Sequence, residues 1–347
     1  MTTRASARQH PTVSDVGERA LIERIHALLP PAPPWLVVGI GDDAAVAQMD
    51  RGAFTVLTTD ALVEGIHFDR RFSSAADIGH KALAVNASDL AAMGAAPRLA
   101  LLSLMLPADL SLADVEAMVS GLAALANAVG VTLAGGNITR SPGPLVVDVT
   151  AVGVAKPRKF LTRNGGRAGD ELYVSGQIGA GTAGLEWLRA HGTSPASQPD
   201  DDELGECVRR HRRPEPRTRL GMLLGRSRAA NACMDLSDGL ADAVRQVAAA
   251  SGVGARIEAE ALPIHPGAAR WFVALGQDAV RASLAGGDDY ELLVAVPKRR
   301  GGRLRTVISQ ARGLPLTRIG ELTADRGSIV LRRNGGLEPL PEGFVHF

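Results

Sequence analysis

Aromatic side chains are scarce in this chain of 347 residues: seven Phe, three Trp and two Tyr. No basic stretch is interleaved with them, so the stacking and phosphate-tracking surface of a nucleic-acid binder is missing. The two cysteines, Cys207 and Cys233, lack metal-ligand spacing and read as inert thiols of a reducing, cytoplasmic compartment. No apolar run looks long enough to span a bilayer; Leu99–Leu106 is short and ends at Pro107. Residues 1–12 carry no apolar signal-type segment, and 1–14 are expected to be a disordered tail. Gly-x-x-x-x-Gly-Lys-Ser/Thr, His-Arg-Asp, Asp-Phe-Gly and Gly-x-Ser-x-Gly are all absent, which argues against the P-loop, protein-kinase and serine-hydrolase routes. The partial dinucleotide motif Gly179-x-Gly181-x-x-Gly184 runs into a polar loop at 191–202 instead of a second strand with its acidic residue. It reads as a tight strand-to-helix turn.

Charge is nearly balanced, at +1, and 46% of residues are hydrophobic, enough for a sizeable core and, at this length, for two domains. Helical spacing covers Asp15–Leu29 and Ala75–Met93, and a capping signal at Ser111 opens a helix to Val129, closed by Gly130. Strands are expected at Trp35–Ile40, Phe54–Thr59, Leu99–Leu106, Val131–Ala134 and Leu145–Val154, with Gly135-Gly136-Asn137 just beyond the fourth. The pattern restarts after Val154, which divides the chain into 15–154 and 155–347. In the second part, strands are expected at Asp170–Ser175, Arg256–Glu258 and Tyr290–Val296. Helices are expected up to about Arg189 and from an N-cap at Ser237 to Ser251. The fold class is mixed α/β.

What the chain has in quantity is acidic motifs beside small or hydroxyl residues: Gly41-Asp42-Asp43, Thr58-Thr59-Asp60, Asn86-Ala87-Ser88-Asp89, Asp235-Leu236-Ser237-Asp238-Gly239 and Gly286-Gly287-Asp288-Asp289. Each has a local explanation as a turn or helix cap. Together they form a set of hard oxygen donors, which suits Mg²⁺ bridging to substrate phosphates. His67 is a lone histidine, and Arg163 lies in a glycine-bordered loop where it either meets phosphate or is solvated.

These motifs, in this order, resemble the thiamine-monophosphate kinase family of the aminoimidazole-ribonucleotide-synthetase-like superfamily. The resemblance runs from about Val16 to Phe347 through Gly-Ile-Gly-Asp-Asp-Ala, Thr-Thr-Asp-Ala-Leu-Val-Glu-Gly-Ile-His-Phe, Lys-Ala-Leu-Ala-Val-Asn-Ala-Ser-Asp-Leu-Ala-Ala-Met-Gly-Ala, Gly-Gly-Asn, Leu-Thr-Arg, Asp-Leu-Ser-Asp-Gly-Leu, Gly-Gly-Asp-Asp-Tyr-Glu-Leu and His-Phe. It implies ATP-dependent phosphorylation of thiamine monophosphate by a two-domain synthetase-like fold. A mixed-sheet ATP- and Mg²⁺-binding domain would dimerise through its sheet, and a C-terminal α/β domain would close the cleft. By motif position, Asp43, Thr58, Thr59, Asp60, Asp89, Asn137, Asp235 and Asp238 would be metal ligands. Gly136, Asn137, Arg163 and Ser237 would contact ATP, and His67, Asp288 and Phe344 would line the substrate site. No side-chain nucleophile or base is implied. Three positions depart from the family pattern: Asn137 where Asp is frequent, Asp288 where Glu is frequent, and Phe344 where Trp or Tyr is usual. Sister enzymes with a reactive cysteine fit less well, since neither Cys207 nor Cys233 lies near an end of this sequence. A binding protein that kept the fold without catalysis is the rival from another class.

Overall fold

The structure, a computed structural model, describes residues 11–40 and 44–343; Asp43 and Phe344 fall outside the described residues. The first helical stretch is α1 (Val13–Val16) followed by α2 (Glu18–Ala27), not one helix, because Gly17 takes a φ of 76° between them. Leu112 N–H donates to Pro11 O and Val13 N–H to Leu110 O, so residues 11–14 are tied to the body of the protein and not part of a free tail. Strands β1 (Leu36–Val38) and β2 (Val46–Ala47) make a small antiparallel ladder.

Next come β3 (Phe54–Val63), α3 (Ala75–Ala92), β4 (Ala96–Pro107), α4 (Leu112–Val129), β5 (Thr132–Ser141) and β6 (Val146–Ala155). They build a four-stranded sheet in the order β3-β6-β4-β5, antiparallel except for β4–β5, which α4 connects as a crossover. β5 runs through Gly135-Gly136-Asn137, which were expected beyond the strand. A Cβ on Gly136 would sit 1.8 Å from Leu102 O, so glycine here admits a neighbouring backbone and does not mark a turn. Helices α3 and α4 cover one face of this sheet. Their backbones touch where Gly79 lies against Met118 O and Gly121 against Ala76 O, sites with no room for a Cβ. By length and composition α4 is apolar enough to cross a membrane, contrary to expectation. In the fold Leu112, Val115, Met118, Val119 and Leu122 are buried in the first core.

The second part contains β7 (Asp170–Ser175), α5 (Ala180–His191), α6 (Asp202–Arg212), α7 (Thr218–Ser227), β8 (Ala232–Asp235), α8 (Leu240–Ser251), β9 (Gly254–Glu258), α9 (Pro266–Ala274), α10 (Ala279–Ala285), β10 (Leu292–Pro297), α11 (Gly301–Gln310), β11 (Leu316–Thr323), β12 (Ile329–Arg333) and β13 (Gly336–Pro339). The sheet order is β13-β12-β9-β11-β7-β10-β8, with only β12–β9 parallel. Ser237 does not cap α8: the helix begins at Leu240, with Gly239 in the cap position at a φ of 94°. The polar stretch after His191 ends in a capped helix, because Asp201 Oδ1 accepts the N–H groups of Glu203 (2.9 Å) and Leu204 (3.0 Å) at the start of α6.

Helix α3 belongs to both parts. Asp77 pairs with Arg213, His80 Nε2 is 2.9 Å from Pro214 O, and Ser88 Oγ donates to Asp235 Oδ2 at 2.7 Å. A Cβ on Gly221 of α7 would lie 2.0 Å from Ala91 O. Positions 77, 80, 88 and 91 share one side of a helix. The other side, including Ile78, Ala82 and Val85, packs into the first core.

Candidate active site

A cavity of about 660 Å³ opens between the two sheets, lined by Asp60, His67, Asp89, Arg163, Asp235, Ser237, Asp238 and Asp288 among others. All eight are residues singled out from the sequence. At one end are carboxylates. Alternation along β3 turns Thr58 and Asp60 toward α3, where the Thr58 hydroxyl donates to Asp89. Burial raises the Asp60 carboxyl to about 6, with Asp89, Asp148 and Asp238 adding repulsion. Asp235, at the end of β8, is raised to about 7 by burial and by Asp89, against the Ser88 hydroxyl that favours its charged form. Asp89 is raised by burial, offset by Thr58 and Arg163. The Arg163 guanidinium is held by Gln246 Oε1.

This end offers an all-oxygen donor set in which burial first, and neighbouring carboxylates after it, disfavours the charged forms of Asp60 and Asp235, which fits Mg²⁺. Among the described residues no three His, Cys, Asp or Glu side chains converge closely enough to complete a cation shell. Mg²⁺ does not need them to, since it keeps waters and takes phosphate oxygens. Asp43, expected in the same set, lies outside the described residues.

The other end combines His67, Phe68, Phe72, Leu185 and Tyr290 with Asp288. His67 Nδ1 accepts the Val63 N–H at 3.1 Å. Lys81 Nζ, almost fully buried, lies 2.9 Å from Asp288 Oδ2, and Tyr290 OH donates to Asp288 Oδ1 at 3.0 Å. Burial alone would raise the Asp288 carboxyl, but the Lys81 ammonium beside it holds it well below the usual carboxylate range. Sequence reading missed Lys81, His211 and Tyr290. The available signal was a lysine inside an otherwise small and apolar helical stretch.

Three nominated residues stand elsewhere. Thr59 points to the opposite face of the sheet, where its hydroxyl is 3.2 Å from Asp148 Oδ1 and 3.2 Å from Thr150 Oγ1. Gly136 and Asn137 line a second cavity of about 930 Å³ on that face, with Ser103, Asp148 and Thr150. A single copy therefore does not gather Thr59, Gly136 and Asn137 with the acids of the first cavity.

The glycine motif opening α5 binds no nucleotide phosphate in this arrangement. Gly179 N–H and Gly181 N–H donate to the Asp289 carboxylate, at 2.7 and 3.1 Å, so an internal anion already occupies the helix start. Cβ atoms on Gly181 and Gly184 would collide with Asp288 O and Cys207 O, both at 2.3 Å.

Residues 41–155 match the AIR synthase related protein N-terminal domain, and 167–332 match the C-terminal domain. The thiamine-monophosphate kinase of Escherichia coli (strain K12) is 37% identical over 334 residues, covering 95% of this chain and 98% of that protein. The chain belongs to the thiamine-monophosphate kinase family. Among solved family structures, that of the enzyme from Stenotrophomonas maltophilia K279a superposes with a TM-score of 0.81 at 36% identity, covering 93% of this chain and 98% of that one. AaThiL complexed with AMPPCP and TMP superposes with a TM-score of 0.75 at 31% identity, covering 98% of this chain and all of that one. The family's two-domain frame thus spans the whole cavity, from its carboxylates to Asp288.

Proposed function

We propose that the protein transfers the γ-phosphoryl group of ATP to thiamine monophosphate, yielding thiamine diphosphate. The observation that carries this reading is one cavity with two chemistries, an oxygen-donor acid end and an aromatic end, in a chain that aligns throughout with a relative complexed with AMPPCP and TMP. The acceptor is a phosphate oxygen, already nucleophilic at neutral pH, so no side-chain nucleophile or strong base is needed. Asp60, Asp89, Asp235 and Asp238 would hold Mg²⁺, with Thr58 and Ser88 orienting two of them through their hydroxyls. Bound there, Mg²⁺ supplies the charge neutralisation that lets two phosphates approach in line. Arg163 and Ser237 would face ATP at the same end, while His67 and Asp288 would face the thiamine moiety.

The 15–154 part would carry ATP and dimerise, and 155–347 would close the cleft. The open face of the four-stranded sheet supports this, since it exposes Leu57 (68%) and Leu101. A second copy is its natural cover, as the family resemblance implies. The buried free thiols Cys207 and Cys233 suit a cytoplasmic setting. The test is product formation from purified protein, ATP, Mg²⁺ and thiamine monophosphate, with thiamine and aminoimidazole-pathway substrates in parallel. Thiamine diphosphate from the monophosphate alone supports the assignment. ATP binding without turnover on any acceptor would overturn it in favour of a binding protein.

A further inference from the structure

We infer that Lys81 is a positioning residue for the acceptor: from α3 it clamps the 286–290 loop across the seam between the two sheets and so shapes the thiamine end of the cavity. This rests on the kinase reading above. Lys81 is 4% exposed, and burial of an ammonium requires a partner. Its partner is Asp288 Oδ2 at 2.9 Å, a residue of the loop entering β10, and Nζ also lies 3.4 Å from His67 O. His211 Nδ1 approaches the same carboxylate oxygen at 3.2 Å, outside good hydrogen-bond alignment. Burial and Lys81 push the His211 imidazole down to about 4, which keeps it neutral and leaves Lys81 as the countercharge.

The loop needs an external hold. Asp288 and Tyr290 are both left-handed, with φ of 65° and 50°, a conformation that side chains rarely adopt and that persists only where surroundings over-determine it. Those surroundings are Lys81 and the Tyr290 hydroxyl on the Asp288 side chain, and hydrogen bonds from Asp288 N–H to Ser237 O (2.8 Å) and Tyr290 N–H to Leu236 O (3.1 Å). Lys81 is thus the polar contact that anchors this loop to the first sheet's helix, beside the Tyr290 ring, which is buried in the first core. Asp288 in place of the family's frequent Glu is consistent with this: its short side chain meets Lys81 while keeping 26% of its surface toward the cavity.

The test compares Lys81→Met, Lys81→Arg and the double variant Lys81→Met/Asp288→Asn, which leaves no buried unpaired charge and so guards against misfolding. The expected result is a rise of at least about tenfold in KM for thiamine monophosphate in Lys81→Met and in the double variant, as suits a misplaced acceptor. KM for ATP should change less than about twofold, and Lys81→Arg should recover most of the loss. Hydrogen exchange at 286–290 is read in parallel without substrate and should quicken in both Met variants. Equal KM values for wild type and double variant, or equal rises for both substrates, would overturn the inference. So would unchanged exchange at 286–290. If the wild type makes no thiamine diphosphate but exchange quickens, the clamp stands and the kinase reading fails.

Discussion

The two ends of the main cavity use the same functional group in opposite ways. At one end Asp60 and Asp235 face other carboxylates and are raised to about 6 and 7. At the other, Asp288 faces Lys81 and is lowered. The first arrangement buries carboxylates whose charged forms a bound cation would favour. The second is internally neutral and therefore serves shape. The contrast separates acids kept for a ligand from acids kept for the fold, which a count of aspartates in the motifs cannot do.

The sharpest way to break this comparison is to remove charge at each end. Asp60→Asn and Asp89→Asn should lower turnover at least about a hundredfold, the scale of a lost transition-state electrostatic contact. Their metal-free melting temperatures should be unchanged or higher, because a repelling charge is gone. Near-normal turnover in both at limiting Mg²⁺ would sink the ligand assignment. At the other end, Asp288→Asn leaves Lys81 buried without its countercharge. It should cost about 3 kcal/mol of stability, toward the low end for a broken buried pair because Asp288 is partly exposed. Chemical denaturation measures it, and a loss comparable to a surface substitution would mean that Lys81 finds another partner.

A third prediction concerns pH. Asp60 and Asp235 are raised in the fold, so between about pH 4 and 7 the native state holds protons that the unfolded chain has released. Stability in EDTA should therefore fall as pH rises through that window, and Mg²⁺ should stabilise the protein more at pH 7.5 than at pH 5. Asp288 works with the opposite sign: its contribution is present above the unfolded carboxylate value and is lost on acidification below it. Thermal melts at several pH values, with and without Mg²⁺, check both. Equal Mg²⁺ stabilisation at pH 5 and 7.5 would count against the acid end as a cation site. The smallest effect is the control: Arg24→Ala removes an exposed pair with Glu116 and should change stability by less than about 0.5 kcal/mol, with no effect on kinetics.

The sequence made the acids legible because Asp beside small and hydroxyl residues is a local pattern. It also made α4 legible, since Ser111 and Gly130 bound it by short-range capping. The run of β5 through Gly135-Gly136 was not legible, because close contact with Leu102 overrides the turn preference of paired glycines. Lys81 was not legible as part of the site because its partner is Asp288, remote in sequence and on another element. That Thr59 parts from Thr58 and Asp60 within one copy of the chain was legible from sequence alone. Residues alternate between faces along a strand, so Thr59 had to leave the company of its neighbours.

Helix α3 sets a limit on how this protein can be divided. The two family domains tile the chain with a gap at 156–166, which suggests a natural place to cut. Yet Ala91 and Ala92 of α3 are buried with Leu220 and Leu224 of α7, and Lys81 and Ser88 have their partners beyond residue 200. A fragment ending near Ala155 would keep its sheet whole while exposing an apolar strip and an unneutralised ammonium. The halves are separate as sheets and inseparable as cores, so a fragment made for study should aggregate or bind its complement when the complement is supplied.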